Sequence, residues 1–66
     1  EILEFDKSAS EIFAKEKAHL KKRGTLIADM DLMIASIAIA NDVALVTNNF
    51  KHFERVKNLK LVRWIK

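Results

Sequence analysis

The longest apolar pattern in the chain runs through its middle. From Leu32 to Ala40, only Ser36 breaks a run of Leu, Met, Ile and Ala, and two carboxylates, Asp29 and Asp31, stand just ahead of it. Eight such residues at helical spacing, apolar nearly all round, predict a helix over 29–41 that is buried on most sides. Its Ala and Ser residues allow neighbours to approach closely. After Asn41-Asp42 comes Val43-Ala44-Leu45-Val46, short, β-branched and apolar, as expected of an interior parallel strand. It ends on Thr47-Asn48-Asn49, a polar cluster with a turn signal.

The flanking segments are mixed. Ser8-Ala9-Ser10-Glu11 has the S-x-x-E form of a capping box. Ile12, Phe13, Ala18 and Leu20 follow at helix-compatible positions, then Lys21-Lys22-Arg23 and the single glycine, Gly24. Cations near a helix C-terminus and a glycine just past it predict a first helix over 8–23. Residues 50–54 read as one helical turn. Leu59 to Ile65 alternates apolar with charged, so it reads as an edge strand. The order is helix, helix, strand, short helix, strand. The two strands are expected to be adjacent and parallel near 43–47 and 60–64, because 48–59 is long enough for a parallel crossover.

Length and composition narrow the picture. Sixty-six residues allow one small domain, and a chain of this size buries only about 60% of its unfolded surface. There is no Cys to form a disulfide or a thiolate metal site; that composition fits a reducing cytosol, and the expected location is cytoplasmic. No apolar run reaches the ~18 residues of a membrane span, and the charged first segment lacks the apolar stretch of a signal peptide, so none is expected there. The net charge of +3 is unevenly spread. Residues 26–49 hold no Lys or Arg, only Asp29, Asp31 and Asp42, while both flanks are rich in Lys and Arg. An acidic centre between basic shoulders suits a divalent cation with phosphate nearby, while the net charge by itself reads first as Lys and Arg solvating the surface of a small domain.

A carboxylate at a buried helix start, beside hard-oxygen side chains at a strand end, suits Mg²⁺. Asp31 is the leading candidate, with helix N-terminal charge as its structural alternative. Asp29 points differently and reads as a helix N-cap. Thr47 and Asn49 are either site residues or a plain strand exit, and Asn48 a turn residue. His19 and His52 lack zinc spacing and read as surface residues. Phe50, Phe53 and Trp64 read as core or interface. Lys51, Arg55, Lys57, Lys60 and Arg63 either line a polyanion or are solvated. No Ser has a triad context, and no Gly-rich phosphate loop exists.

Two ordered motifs carry a resemblance: Ile27, Asp31, Leu32, Ile34 and Ala35, in the order I-x-x-x-D-L-x-I-A, then Leu45, Val46, Thr47, Asn49 and Phe53, in the order L-V-T-x-N-x-x-x-F. Together they resemble the C-terminal half of PIN-domain ribonucleases, and most closely the VapC toxins of toxin–antitoxin systems. The resemblance implies an α/β fold, the C-terminal portion of a three-layer domain with parallel strands, and makes 1–66 a fragment of a single PIN domain. It implies that Asp31 is a catalytic metal ligand for Mg²⁺ or Mn²⁺. Asn49 falls where relatives carry Asp or Asn, keeping an oxygen ligand but losing a charge. Thr47 becomes a donor that orients the carboxylates, and Lys51, Arg55 and Lys57 become weak candidates for RNA binding. His52 departs from the pattern, since relatives often have Asp or Glu there.

The family's remaining carboxylates, an Asp ending the first strand and a Glu on a later helix, have no counterpart in the sequence. The first residue is Glu1 rather than Met, so a fragment or processed piece is expected. The implied function is part of a metal-dependent endoribonuclease toxin, inactive without the N-terminal half. The alternative is a non-catalytic remnant that dimerises or binds an antitoxin. Implied partners are RNA, a protein antitoxin, and the N-terminal half or a second copy of the chain.

Overall fold

The computed structural model describes residues 3–63. Its elements follow in the order α1 (Lys7–Lys22), α2 (Asp29–Ala40), β1 (Leu45–Thr47), α3 (Phe50–Phe53) and β2 (Leu61–Arg63). β1 and β2 pair in parallel, with Leu45 opposite Leu61, Val46 opposite Val62 and Thr47 opposite Arg63. The α/β order and the parallel pairing agree with the expectations from the sequence. The part of the expected edge strand at Trp64 and Ile65 lies outside the described residues.

The start of α1 differs from the capping-box expectation. Asp6, not Ser8, is the N-cap: its Oδ1 accepts the Ala9 backbone N–H at 2.9 Å. Ser8 lies inside the first turn, so Glu11 has no N-cap to reach back to. A carboxylate at this position both caps an orphan donor and meets the positive end of the helix.

The other end of α1 is closed as the sequence indicated. Gly24 has φ +68. The Gly24 N–H donates to the Lys21 carbonyl at 3.1 Å and the Thr25 N–H to the Leu20 carbonyl at 2.9 Å, the paired bonds of a Schellman turn. A Cβ at Gly24 would meet nothing within 4 Å, so only the backbone conformation resists substitution. Gly24→Ala is expected to destabilise the fold by about 1 kcal/mol, read as a lower urea midpoint with an unchanged slope.

The C-terminus of α2 repeats this turn without a glycine. Asp42 takes the left-handed conformation, φ 53, and the Val43 N–H reaches back to the Ala38 carbonyl at 3.0 Å. A short polar side chain tolerates this backbone better than a bulky one. The Asp42 carboxylate meets Lys60 Nζ at 2.8 Å, and the Lys60 hydrogen bond and charge hold the Asp42 carboxyl below its ordinary pKa.

The core forms where α1, α2 and the crossover meet. Leu20, Ile27, Leu32, Ala35, Phe53 and Val56 are buried together, with Phe13, Ile39, Leu45, Leu59 and Leu61 packed against them. Ser36 is fully buried, and its hydroxyl donates to the Leu32 carbonyl at 2.7 Å, so its polarity is met within its own helix. Glu16 is also buried, and its carboxylate accepts a bond from Asn58 Nδ2 at 3.1 Å. That bond ties the segment before β2 to α1.

Burial of α2 and β1 is less complete than their apolar sequences suggest. Met30 is 68% exposed, Ile34 41%, and the facing pair Val46 and Val62 are 51% and 47% exposed. Side chains alternate across a strand, so with Leu45 and Leu61 turned to the core, Val46 and Val62 occupy the other face. No element among the described residues covers that face. No helix among them is long and apolar enough to cross a membrane.

Candidate functional site

The site residues gather where the parallel strands end. Ligand sites of α/β folds sit outside the carboxyl ends of parallel strands, and here three elements converge at that edge: the first turn of α2, the exit of β1 through Thr47, and α3.

Asp31 sits in the first turn of α2, with its side chain 28% exposed. The first backbone donors of that helix have no side-chain cap, because the N-cap position is held by Ala28. This corrects the expectation for Asp29, which is already the first helical residue. Its carboxylate instead pairs with Lys17 Nζ at 3.1 Å, joining α1 to α2 on the surface. Screened by solvent, such a pair contributes little. Asp31 has a different neighbour: His52 Nδ1 lies 3.7 Å from its Oδ2, an ion pair only when the imidazole is protonated. No local signal points to this contact, because it bridges α2 and α3.

The Thr47 hydroxyl accepts the Asn49 backbone N–H at 2.9 Å. The bond turns the chain sharply as it leaves β1, and it leaves the hydroxyl proton to be donated elsewhere. Asn49 then becomes the N-cap residue of α3, but its side chain makes no capping bond. Its amide instead lines a cavity of about 320 Å³ bounded by Asn48, Asn49, Phe50, Lys51, His52 and Arg63.

The structure therefore brings Asn49 and Lys51 into one cavity. Asp31 borders that group through His52. It does not bring Arg55 and Lys57 there. The Arg55 guanidinium donates to the Leu26 carbonyl at 3.4 Å, which gives it a structural task on the α1–α2 connection, and Lys57 is exposed away from the lining. Two further residues join the lining: His52, expected only at the surface, where it is indeed half exposed, and Arg63, one of the cations with both a polyanion and a solvated reading. The strand register sets the Arg63 backbone opposite Thr47, and its side chain lines the cavity at that edge.

As a metal centre the arrangement is partial. Among the described residues no three His, Cys, Asp or Glu side chains come together. Asp31 offers one carboxylate and Asn49 one amide oxygen, the hard-oxygen donors Mg²⁺ takes, but too few to hold it without further ligands.

No protein-family model matches the chain. Individual proteins do. Ribonuclease VapC2 of Rickettsia felis is 41% identical over 66 residues, which is 100% of this chain and 49% of that protein. Ribonuclease VapC1 of Methanocaldococcus jannaschii is 48% identical over 61 residues, 92% of this chain and 45% of that protein. The tRNA(fMet)-specific endonuclease VapC of Salmonella typhimurium is 33% identical over 64 residues, 97% of this chain and 48% of that protein. The chain thus spans about half the length of the curated relatives it matches. Among solved structures, the crystal structure of VapBC2 from Rickettsia felis bound to a DNA fragment from their promoter superposes with a TM-score of 0.91 at 40% identity, covering 98% of this chain and 49% of that one.

Proposed function

The chain is a homologue of the VapC ribonucleases that fits their C-terminal half, and from that premise we propose that it supplies one side of a metal-dependent endoribonuclease site. The observation that carries the reading is the position of Asp31, a half-buried carboxylate at a helix start, beside the strand-end cavity that holds Asn49 and Lys51. Asp31 would hold the divalent ion, Mg²⁺ or Mn²⁺, together with carboxylates from outside these 66 residues. Such an ion lowers the pKa of bound water and offsets charge on the scissile phosphate. The chain's own share is narrower. Asp31 brings the negative charge, Asn49 an amide oxygen, and Thr47 holds the turn that presents Asn49. Lys51 draws the RNA backbone toward the strand ends.

A second reading rests on a different observation. Met30 and Ile34 on α2, and Val46 and Val62 on the sheet, leave apolar side chains open, which suits a module that only associates with a partner, whether the N-terminal half, a second copy or an antitoxin in the cytoplasm. One experiment separates the two. The chain is co-expressed with an N-terminal segment of a relative, and cleavage of a structured RNA is followed with Mg²⁺, with Mn²⁺ and with a chelator. The nuclease reading expects cleavage by the complex only with metal, and none by the chain alone. A stable complex that cleaves nothing would favour the association module. Cleavage by the 66-residue chain alone would overturn the partial-site argument.

A further inference from the structure

Several basic side chains outside the cavity already have partners. Lys17 pairs with Asp29, Lys60 with Asp42, and Arg55 bonds a backbone carbonyl. Arg63 and Lys51 differ. Among the described residues neither has an ion pair, and both line the strand-end cavity.

Arg63 is moreover held in place. Its guanidinium carbon lies 4.5 Å from the centroid of the Phe50 ring. Stacking on an aromatic face restrains the guanidinium and leaves its N–H edge free for a planar, two-point contact with an oxyanion. The backbone beneath it is fixed by the pairing of Arg63 with Thr47, so the cation is carried to the same edge as Asn49. The cavity lining contains two permanent cations, two amides and an imidazole, and no carboxylate. A concave site of that makeup attracts an anion, and its volume, about 320 Å³, is at the small end of ligand-binding cavities.

We propose that Arg63, laid against Phe50, is the anchor of a phosphate-binding subsite that takes a backbone phosphate of RNA next to the scissile one. The identification of the anion as RNA rests on the ribonuclease reading; the anion site itself does not. Arg63 binds the phosphate oxygens through its N–H edge, and Phe50 acts as a positioning residue that keeps the guanidinium in plane. Lys51 adds charge without direction. His52 belongs to the lining and lies 3.7 Å from Asp31, so a strand anchored there lies close to the carboxylate.

The test uses the full 66-residue chain, isotope-labelled, in chelator and low salt, titrated with inorganic phosphate and with a four-nucleotide RNA. The expected result is that the RNA binds more tightly than phosphate and that the shifts centre on Arg63, Lys51 and the Asn48–Asn49 amides. Arg63→Gln should weaken RNA binding about tenfold, because it removes a charge-assisted two-point contact. It should also flatten the salt dependence by about 0.7 in the logarithmic slope, the value for one contact on a single strand. Arg63→Lys keeps the charge but loses the planar fork, and should fall between the two. Phe50→Leu should weaken binding with Arg63 present. Each variant is first checked by its amide spectrum for an intact fold. Unchanged RNA affinity in Arg63→Gln overturns the subsite, and full rescue by Arg63→Lys overturns the role given to stacking and geometry. Equal affinity for phosphate and RNA overturns the nucleic-acid occupant. Because chelator removes any metal, failure of metal-dependent cleavage would leave this result standing, and the reverse is also true.

Discussion

Asp31→Asn is expected to abolish RNA cleavage by the complex of this chain with the segment that completes the site. The substitution keeps the shape of the side chain and an oxygen donor, but removes the carboxylate charge of Asp31 from the proposed metal position. A neutral ligand binds the cation more weakly, and its bound water stays protonated at neutral pH. The expected loss is more than about 100-fold in rate, larger than changes to groups that merely orient ligands produce. The fold should survive, because a carboxylate in the first helical turn contributes only about 0.3–1 kcal/mol. Asn49→Ala should cost less, since it removes a dipole rather than a charge. Calorimetric metal affinity and a cleavage time course for each variant check this. Full activity in Asp31→Asn would remove Asp31 from the ligand set.

Leu32→Ala should produce the largest loss of stability. Leu32 follows Asp31 directly and is fully buried, in the cluster shared by α1, α2 and the crossover. Emptying such a position costs about 2–5 kcal/mol, against roughly 3–10 kcal/mol for the total stability of a domain this size. The variant is therefore expected to be largely unfolded by circular dichroism, or to unfold at a much lower urea concentration. Ile34→Ala, two positions on but 41% exposed, should cost far less in the isolated chain. Equal losses at the two positions would contradict the placement of the core. Adding a partner that covers Ile34 should widen its effect, which gives a second reading of the same pair.

Much of this was legible in the sequence. The apolar run of α2, the short strand after it, and the glycine that ends α1 are local signals, and each produced the element it indicated. The parallel pairing followed from the length of the segment between the strands. Helix starts were harder. Ser8 and Asp29 both have the chemistry of a cap, but Asp6 caps α1 and no side chain caps α2, because which polar residue sits at the boundary depends on where packing of Ala9 and Leu32 sets the first turn. In the site, Asp31, Thr47, Asn49 and Lys51 were legible as residues at the ends of elements. The His52–Asp31 contact and the Arg63–Phe50 stack were not, since each joins residues that are far apart along the chain or set by strand register. Arg55 looked like a ligand-binding cation by composition alone, and only the fold reveals its bond to Leu26.

The small size of the sheet has a consequence for how the protein breathes. β1 and β2 are three residues each, with one face unprotected, whereas α1 and α2 share the buried core. Cooperative opening begins where few apolar contacts hold backbone bonds closed. The strand ends, with Thr47 and Arg63 on them, therefore belong to the segment that exchanges its amide hydrogens first, while the helices stay protected. The candidate site therefore stands on a short segment held by few apolar contacts. A partner that docks on Val46 and Val62 would tighten the candidate site at the strand ends, even though it touches none of the cavity lining.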